Sequence, residues 1–333
     1  MAAGATRRSG PMIQPFRQLD ANGRLRHLIT LDGLDAGLMR ELLERAGGYL
    51  CPPGLLPPRG DDLSGWTVAN LFAEPSTRTR ASFELAALRL GADVLDLDVM
   101  LSSRAKGESI IDTIYTLEAM QVDVFVIRDA QPGLVEFVAQ HVGEQVSVIS
   151  GGEAHLSHPT QGLLDALTIQ QVKGDFRGLA ITIVGDICHS RVARSAYRAL
   201  TALGVAELRL VAPDEMMPVA HEFQGARRFS SFDEGIAGAD IVMMLRIQRE
   251  RIAEAIPDND RYHELYGLTA ARLARAKPDA IVMHPGPMNR GVEISSEVAD
   301  GPQSVIRRQV ANGVAIRMAV LAHIAAARRR RAT

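Results

Sequence analysis

Apolar residues along the chain fall into two series of short runs, and stretches with helical spacing separate the runs within each series. This alternation is typical of βαβ units, whose strands lie side by side in a parallel sheet. We therefore predict an α/β protein with two doubly wound parallel-sheet domains. The strands of the first series are expected at 67–72, 94–97, 122–127 and 146–149, and those of the second at 179–184, 207–211, 240–245 and 280–283.

Helical spacing completes this division. Leu34, Leu38 and Leu42 recur on one face of a helix predicted at 28–50, whereas residues 1–25 show no sustained periodicity. Further helices are expected at 79–90, 108–120, 134–142, 159–172 and 304–328. The predicted organisation is a flexible extension at 1–25, a first domain at 26–158 that the helix at 304–328 completes, and a second domain at 159–303.

Composition narrows the class of protein. Of the 333 residues, 47% are hydrophobic and 23% are charged, which is the balance of an ordinary globular chain. No apolar run approaches the ~20 residues of a membrane span, and Arg7 and Arg8 are not followed by the apolar stretch of an export signal. A cytoplasmic protein without membrane contact is expected. Cys51 and Cys188 form no CxxC or Cys/His cluster, so neither a disulfide framework nor a metal site is expected.

The charges nearly cancel, since 37 Lys and Arg face 39 Asp and Glu and give a formal net charge of -2. No global basic field attracts nucleic acid, but a locally basic cleft for a small anion is compatible with this balance. The arginines at 328–331 are interpreted as a solvated helix end that suits the helix dipole. The alternative is a tail that binds nucleic acid or an acidic partner.

The segment after the first predicted strand has the chemistry of an anion site. Neither G-x-G-x-x-G nor G-x-x-x-x-G-K-[ST] occurs in the chain, which removes the main support for a dinucleotide or P-loop site. Helix N–H groups, hydroxyls and guanidinium groups together would bind phosphate. The alternative is an ordinary N-cap with Arg80 paired to Glu84. The segment reads Glu74-Pro75-Ser76-Thr77-Arg78-Thr79-Arg80 and leads directly into a helix.

This segment, with the Ser82-Phe83-Glu84 that follows it, resembles the carbamoyl-phosphate loop of the aspartate/ornithine carbamoyltransferase family. The resemblance spans residues 66–317 and implies the family's fold, with the active site in the cleft between the two domains. Further family motifs occur in family order: His158-Pro159-Thr160-Gln161 with Leu164-Asp165, Gly185-Asp186 with His189-Ser190-Arg191-Val192, Leu245-Arg246-Ile247-Gln248 with Glu250-Arg251, and His284-Pro285-Gly286-Pro287.

The resemblance implies transfer of a carbamoyl group from carbamoyl phosphate to an amine, with no metal and no organic cofactor. The implied catalytic residues are Thr79, Arg128 and His158, and His158 would donate to the carbamoyl oxygen as it becomes negative. On local sequence alone Arg128 pairs equally well with Asp129, and a lone histidine is more often structural. The implied carbamoyl-phosphate contacts are Ser76, Thr77, Arg78, Thr79, Arg128, His158, Gln161, Ser102 and Lys106.

The motifs of the second domain imply the acceptor. An acceptor with two carboxylates needs two guanidinium forks, and Arg191 and Arg246 supply them beside Gln248 and Lys106. The ornithine branch typically has an Asp with a Ser-Met-Gly run in place of Leu-Arg-x-Gln, and a Cys after the late His where this chain has Pro285. The implied acceptor is L-aspartate, and the implied product is N-carbamoyl-L-aspartate. This reaction is the committed step of pyrimidine synthesis. The alternative for Arg246 is a solvated charge run.

The resemblance also implies an assembly. The segment with Ser102 and Lys106 resembles a loop that reaches into a neighbouring subunit's site, which implies a homotrimer; a flexible loop before a helix is the alternative. The long N-terminal stretch resembles the nucleotide-responsive form that joins a dihydroorotase-like chain in a dodecamer. The backbone of Gly286 and Pro287 would contact both substrates across a cis bond, although Gly286 and Met288 replace the Leu and the basic residue of the enteric type.

Two other interpretations stay open. A sister carbamoyltransferase with a different amino-acid acceptor would differ at Arg246 and Gln248, which match the aspartate pattern here. An inactive homologue that serves as an assembly scaffold would lose polar site residues first, yet Ser76, Arg128 and His158 are all present.

Overall fold

The computed structural model describes residues 17–52, 54–97, 109–247 and 258–332, with side chains described as far as residue 328. The elements are α1 (Ala36–Gly47), β1 (Thr67–Phe72), α2 (Thr77–Arg89), β2 (Asp93–Leu97), α3 (Ile110–Ala119), β3 (Val124–Asp129), α4 (Leu134–His141), β4 (Ser147–Glu153), α5 (Pro159–Lys173), β5 (Ala180–Val184), α6 (Arg191–Leu203), β6 (Glu207–Val211), β7 (Arg227–Phe229), α7 (Phe232–Ile236), β8 (Ile241–Met244), α8 (Asn259–Tyr266), α9 (Ala270–Leu273), β9 (Ile281–Met283), α10 (Ser296–Ala299) and α11 (Ile306–Ala332).

The strands form two sheets, and every strand pair in them is parallel. The first sheet has the order β2-β1-β3-β4 and the second has the order β7-β6-β5-β8-β9. The direction of winding therefore reverses between β1 and β3 in one sheet and between β5 and β8 in the other. Ligands of doubly wound sheets bind at the carboxyl ends of strands beside such switch points. The predicted fold class, two parallel-sheet α/β domains, is confirmed.

The last helix belongs to the core. α11 packs against α1, α2 and α5, and Met318, Leu321 and Ile324 on it are buried. By length and composition alone, residues 306–328 are apolar enough to cross a membrane, although no apolar run was expected to approach the length of a membrane span. In this fold 72% of the apolar window is buried inside the protein. Packing within the domain thus explains the apolar composition.

The helix predicted at 28–50 is shorter at both ends. It begins at Ala36, because the Asp35 carboxylate caps it by accepting from the N–H groups of Gly37 and Leu38. In the chain before it, Leu28 forms an isolated parallel bridge with Ile149 of β4. Leucines at helical spacing were thus a correct signal for α1, but they also marked residues that cover the edge of a sheet.

Structure begins earlier than the predicted boundary at residue 26. Leu19 and Leu25 form an isolated antiparallel bridge, and Leu25 is fully buried. The Gln18 side chain accepts from the N–H groups of Ile29 and Thr30 at 2.6 and 2.9 Å. Residues 17–25 are therefore part of the fold, while residues 1–16 lie outside the described part of the chain.

Arg328, which we interpreted as solvated, is instead packed. Its Nη1 atom binds Asp123 Oδ1 at 2.5 Å, and its guanidinium group lies 4.5 Å from the centre of the Trp66 ring. This arginine thereby fastens the end of α11 to the segments that precede β1 and β3.

Candidate active site

The loop between β1 and α2 leaves a helix N-terminus open to an anion. Ser76 is the N-cap of α2, yet its side chain makes no capping hydrogen bond, and the first turn contains no acidic residue. Among the described residues, the partner of Arg80 is Asp96 of β2, with Nε 2.6 Å from Oδ1, so the structure does not show the Glu84 pair of the alternative interpretation. Ser76, Thr77 and Arg78 thus combine a hydroxyl-rich first turn with the positive end of the helix dipole.

Thr79 and His158 join this helix to the next motif. Thr79 Oγ1 lies 3.4 Å from His158 Nε2, and both side chains are buried. His158 is the N-cap of α5, and its backbone N–H donates to Ser195 Oγ of α6 at 2.8 Å. The other ring nitrogen, Nδ1, is buried and has no hydrogen-bond partner among the described residues. A buried polar atom without a partner is costly, which points to a ligand there.

Burial lowers the pKa of His158 well below its ordinary value, and the positive charges of Arg128, Arg191 and Arg317 act in the same direction. The ring is therefore neutral at physiological pH and carries a single N–H. A neutral imidazole in a cationic surrounding can donate one hydrogen bond without adding a further positive charge to the site.

Arg128 and Arg191 meet at one carboxylate. Glu74 Oε2 lies 3.3 Å from Arg128 Nε and 3.0 Å from Arg191 Nη2, and all three side chains are less than one-fifth exposed. Arg128 is the next-to-last residue of β3 and Arg191 opens α6, so Glu74 connects the carboxyl ends of the two sheets. The neighbour Asp129 accepts from the N–H of Gln131 at 2.8 Å.

Gly152 makes room for this pair of guanidinium groups. The register of β3 on β4 shifts by one residue at Arg128, which places Gly152 opposite it, and Arg128 Nη1 donates to the Gly151 carbonyl at 3.2 Å. A Cβ on Gly152 would lie 3.1 Å from both Arg128 Nη1 and Arg191 Nε, and its φ is +122°. Only glycine fits this position without displacing a side chain of the site.

Arg78 and Arg246 are two further like charges that lie close enough to interact. The half-buried Arg246 follows β8. Burial lowers the pKa of Arg78, and the positive charge of Arg246 lowers it further. The Gly286-Pro287 bond is cis, as the family resemblance implies, and Gly286 lies against Arg78, since a Cβ there would be 3.1 Å from Arg78 Cζ. Arg78 at the start of α2 and Arg246 after β8 thus bring two like charges together, an arrangement that favours an anion.

Gln161 has a partner inside the protein. Its Nε2 donates to Asp165 Oδ1 at 2.9 Å, and Gln309 of α11 donates to the same oxygen at 2.6 Å. Burial raises the pKa of Asp165 to about 7. The sequence predicted only part of this arrangement. Asp165 belongs to the motif that begins at His158, but no motif indicated its contact with Gln309.

The implied site residues that fall within the described ranges lie in one region of the structure: Ser76, Thr77, Arg78, Thr79, Arg128, His158, Gln161, Arg191, Arg246, Gly286 and Pro287. Ser102, Lys106 and Gln248 lie outside the described ranges, so their roles stay predictions. Sequence reasoning missed the roles of Glu74, Gly152, Ser195 and Gln309, because each acts through a residue that is distant along the chain.

One group of possible metal ligands occurs among the described residues. Donor atoms of Asp186, Cys188 and His189 lie within 4.8 Å of one another. Local hydrogen bonds account for their geometry, because Asp186 Oδ1 is 2.8 Å from His189 Nδ1 and accepts from the backbone N–H of His189 at 3.3 Å. Burial raises the pKa of Cys188 to about 12, so its sulfur is a thiol at neutral pH.

Two family models match this chain and together cover most of it. Residues 26–171 match the carbamoyl-P binding domain of aspartate/ornithine carbamoyltransferase, and residues 177–324 match its Asp/Orn binding domain. The chain belongs to the aspartate/ornithine carbamoyltransferase family. The candidate anion-binding residues Ser76, Thr77 and Arg78 lie in the first matched region, and Arg191 and Arg246 lie in the second.

Solved structures from both branches of this carbamoyltransferase family resemble the chain. Aspartate transcarbamoylase from Trypanosoma cruzi, in complex with carbamoyl aspartate and phosphate, is 29% identical, with 92% of this chain and 98% of that chain covered and a TM-score of 0.81. Ornithine carbamoyltransferase from Pyrococcus furiosus is 30% identical, with 89% and 96% covered and a TM-score of 0.77. Ornithine carbamoyltransferase from Thermus thermophilus is 25% identical, with 90% and 98% covered and a TM-score of 0.79. Membership of the family indicates carbamoyl transfer. The similar structures include both aspartate and ornithine carbamoyltransferases, so they do not distinguish the acceptor.

Proposed function

We propose that this carbamoyltransferase is an aspartate carbamoyltransferase, which converts carbamoyl phosphate and L-aspartate to N-carbamoyl-L-aspartate and phosphate. The observation that carries the proposal is a set of four guanidinium groups: the charge of Arg246 acts on Arg78, and Arg128 and Arg191 share the carboxylate of Glu74. Four guanidinium groups, with the carboxylate of Glu74 among them, suit a phosphate together with a dicarboxylate. The second ammonium group of ornithine would be repelled by Arg246.

Phosphate binding starts the proposed mechanism. The phosphate group lies at the N-terminus of α2, where the first-turn N–H groups and the hydroxyls of Ser76 and Thr77 donate, and where Arg78 binds it as a fork. Thr79, Arg128 and neutral His158 then face the carbamoyl oxygen. They stabilise it as negative charge develops in the tetrahedral transition state.

The amine of aspartate attacks the carbamoyl carbon as a neutral base. Arg191 and Arg246 bind the two carboxylates and so hold the amine at the carbon, and much of the rate comes from this proximity. The C–N bond forms, the C–O bond to phosphate breaks, and the departing phosphate accepts the proton of the amine. No residue of the chain is assigned as the base that accepts this proton.

The test uses carbamoyl phosphate with L-aspartate and, separately, with L-ornithine, and follows the carbamoylated product. Product with aspartate alone, lost in Arg246→Ala, is expected. Arg227→Ala is the matched control, because Arg227 lies on the outer strand of the same sheet and is exposed beside Glu207. Product with ornithine alone would overturn the acceptor assignment, and loss of activity in both variants would remove the evidence for a specific carboxylate contact at Arg246.

We further propose a homotrimer with shared sites, in which Ser102 and Lys106 contact the substrates of a neighbouring subunit. Mixed trimers of Lys106→Ala and His158→Ala chains should regain activity that neither variant has alone, since one site per hybrid can then combine two intact contributions. Failure of the mixture to regain activity, with trimers present by light scattering, would contradict shared sites.

The setting proposed for this enzyme is the cytoplasm and the committed step of pyrimidine synthesis. A dodecamer with a dihydroorotase-like chain and control by nucleotides belong to the same proposal. Co-purification of the full chain with such a partner, analysed by mass, tests the assembly; a single trimer peak in the presence of the partner would contradict it.

A further inference from the structure

A continuous line of buried hydrogen bonds runs from the turn after β9 to the N-terminal turn of α5. The backbone N–H of His284 donates to Gln309 Oε1 at 3.0 Å, and Gln309 Nε2 donates to Asp165 Oδ1 at 2.6 Å. Asp165 Oδ1 also accepts from Gln161 Nε2 at 2.9 Å. All four residues are at most 7% exposed. The line joins α5, α11 and the second sheet.

The direction of every bond in this line is fixed at one end. A backbone N–H can only donate, so the contact with His284 requires that the oxygen of the Gln309 amide faces it. The NH2 group of Gln309 must then face Asp165, whose Oδ1 acts as an acceptor. Because Asp165 Oδ1 is an acceptor, the Gln161 amide must also turn its NH2 group toward Asp165. Reversal of either amide would set two acceptors or two donors against each other.

The orientation of Gln161 has a chemical consequence at the substrate. Because its NH2 group is held by Asp165, Gln161 keeps its carbonyl oxygen, an acceptor only, for other contacts. Gln161 lies in the first turn of α5, three residues after His158 at the N-cap. The family resemblance implies that Gln161 contacts carbamoyl phosphate, and an acceptor at this place suits a group that donates hydrogen bonds, such as the carbamoyl NH2, and does not suit a methyl group of the same size.

The same line reaches the other substrate segment. The N–H of Gly286 donates to His284 Nδ1 at 2.8 Å, and His284 Nε2 lies 3.1 Å from Glu293 Oε1. Gln309 therefore stands between Gln161 and the Gly286-Pro287 turn, and it makes a hydrogen bond toward each side.

We propose that Gln309 is a positioning residue which, through Asp165, fixes the amide of Gln161 so that the site selects a carbamoyl group over an acetyl group. This inference rests on the proposed carbamoyl-phosphate site and adds to it the source of that selectivity. It requires no direct contact of Gln309 or Asp165 with substrate.

The test compares two stable ligands by calorimetry on the full chain in its native assembly. Phosphonoacetamide carries an NH2 group on its carbonyl carbon, and acetonylphosphonate carries a methyl group at the same position. The wild-type chain should bind phosphonoacetamide more tightly, and Gln309→Met should reduce that preference by about tenfold, which is the effect of one lost hydrogen bond in a buried site. The affinity for acetonylphosphonate should stay within twofold.

Asn312→Leu is the matched control. Asn312 is one turn further along α11, is 2% exposed, and also reaches α5, where its Nδ2 donates to Thr168 Oγ1 at 2.8 Å and Gln171 Oε1 at 3.0 Å. The Asn312→Leu substitution removes a buried amide from the same pair of helices, α5 and α11, and leaves the hydrogen bonds between Gln309, Asp165 and Gln161 unchanged. This control should lose stability and keep the ligand preference of the wild type.

Asp165 supplies a second, independent pair of variants. Asp165→Asn keeps an oxygen that can accept from both glutamines and should keep the preference, whereas Asp165→Leu has no acceptor and should lose it. Unchanged preference in folded Gln309→Met and Asp165→Leu would overturn the inference, as would an equal loss in Asn312→Leu. Wild-type chain that binds neither ligand would instead overturn the proposed function, and the inference with it.

Discussion

Thr79 Oγ1 lies 3.4 Å from His158 Nε2, and this buried contact joins the first turn of α2 to the N-cap of α5. Two helix N-termini therefore converge on one place, and each brings a polar side chain with it. The dipoles of both helices favour negative charge there, so the contact marks the point where a developing oxyanion is best stabilised.

His158→Ala is expected to reduce kcat by about 10²–10³-fold, because it removes one preorganised donor to the carbamoyl oxygen. His155→Ala is the matched control, since His155 is an exposed histidine three residues earlier. Steady-state rates at saturating substrates check the prediction. A His158→Ala enzyme with wild-type kcat would remove the residue from the mechanism.

The protonation of His158 also links pH to stability. Its pKa is lowered in the folded chain, mainly by burial, so the unfolded chain binds more protons as pH falls below about 6.5. The contribution of His158 is complete above that pH and is lost as the solution becomes more acidic. Urea unfolding between pH 7 and 5 should show a smaller fall in unfolding free energy for His158→Gln than for the wild type.

Asp165 acts in the opposite direction. Its pKa is raised from 3.8 to about 7 by burial, so the folded chain holds a proton that the unfolded chain releases between these values. The stability difference between Asp165→Asn and the wild type should therefore grow in favour of the variant as pH rises from 4 to 7, by up to about 1.4 kcal/mol per pH unit. Urea midpoints of both proteins at four pH values test this. A constant difference would show that Asp165 is ionised throughout.

Glu74→Gln should lower the unfolding free energy of the ligand-free enzyme and raise its affinity for anions. Removal of the carboxylate shared by Arg128 and Arg191 leaves two buried guanidinium groups without it, which should cost about 3 kcal/mol of unfolding free energy. The same change should lower the Kd for inorganic phosphate severalfold, measured by calorimetry. Glu84→Gln, on α2 beside the same cleft, should change neither quantity.

Gly152→Ala should remove most activity, because its Cβ would meet both Arg128 and Arg191 at 3.1 Å. Gly204→Ala separates this clash from backbone strain: Gly204 also has a positive φ, +88°, but a Cβ there meets nothing within 4 Å. The control should lose about 1 kcal/mol of unfolding free energy and keep its kcat. Equal kcat in both variants would show that the two arginines can shift without effect.

Periodicity predicted most of the fold because most elements are amphipathic or fully buried. The strand expected at 67–72 is observed as Thr67–Phe72, and its burial as part of a central strand explains the clear signal. β7 was missed, since Arg227 and Arg228 in it are exposed and only three residues form the strand. Edge strands with charged faces carry no apolar pattern to detect.

The candidate site was predictable where motifs are local and hidden where partners are distant. Ser76 to Thr79 and His158 stand out as motif residues, and the structure brings them together. Arg80, however, binds Asp96 across two elements, and Gln309 reaches Asp165 over a separation of 144 residues. Such pairs depend on how the sheets and helices pack, which no short spacing records.

The packing of α11 on α1 and α2 also sets an order of events during translation. About 220 residues separate the end of α2 from the start of α11, and they include the whole second sheet. At 5–20 residues per second, a ribosome needs roughly 10–40 s to make them. For that time the nascent first domain exposes the apolar surface that α11 will cover, so it begins to fold first and finishes last.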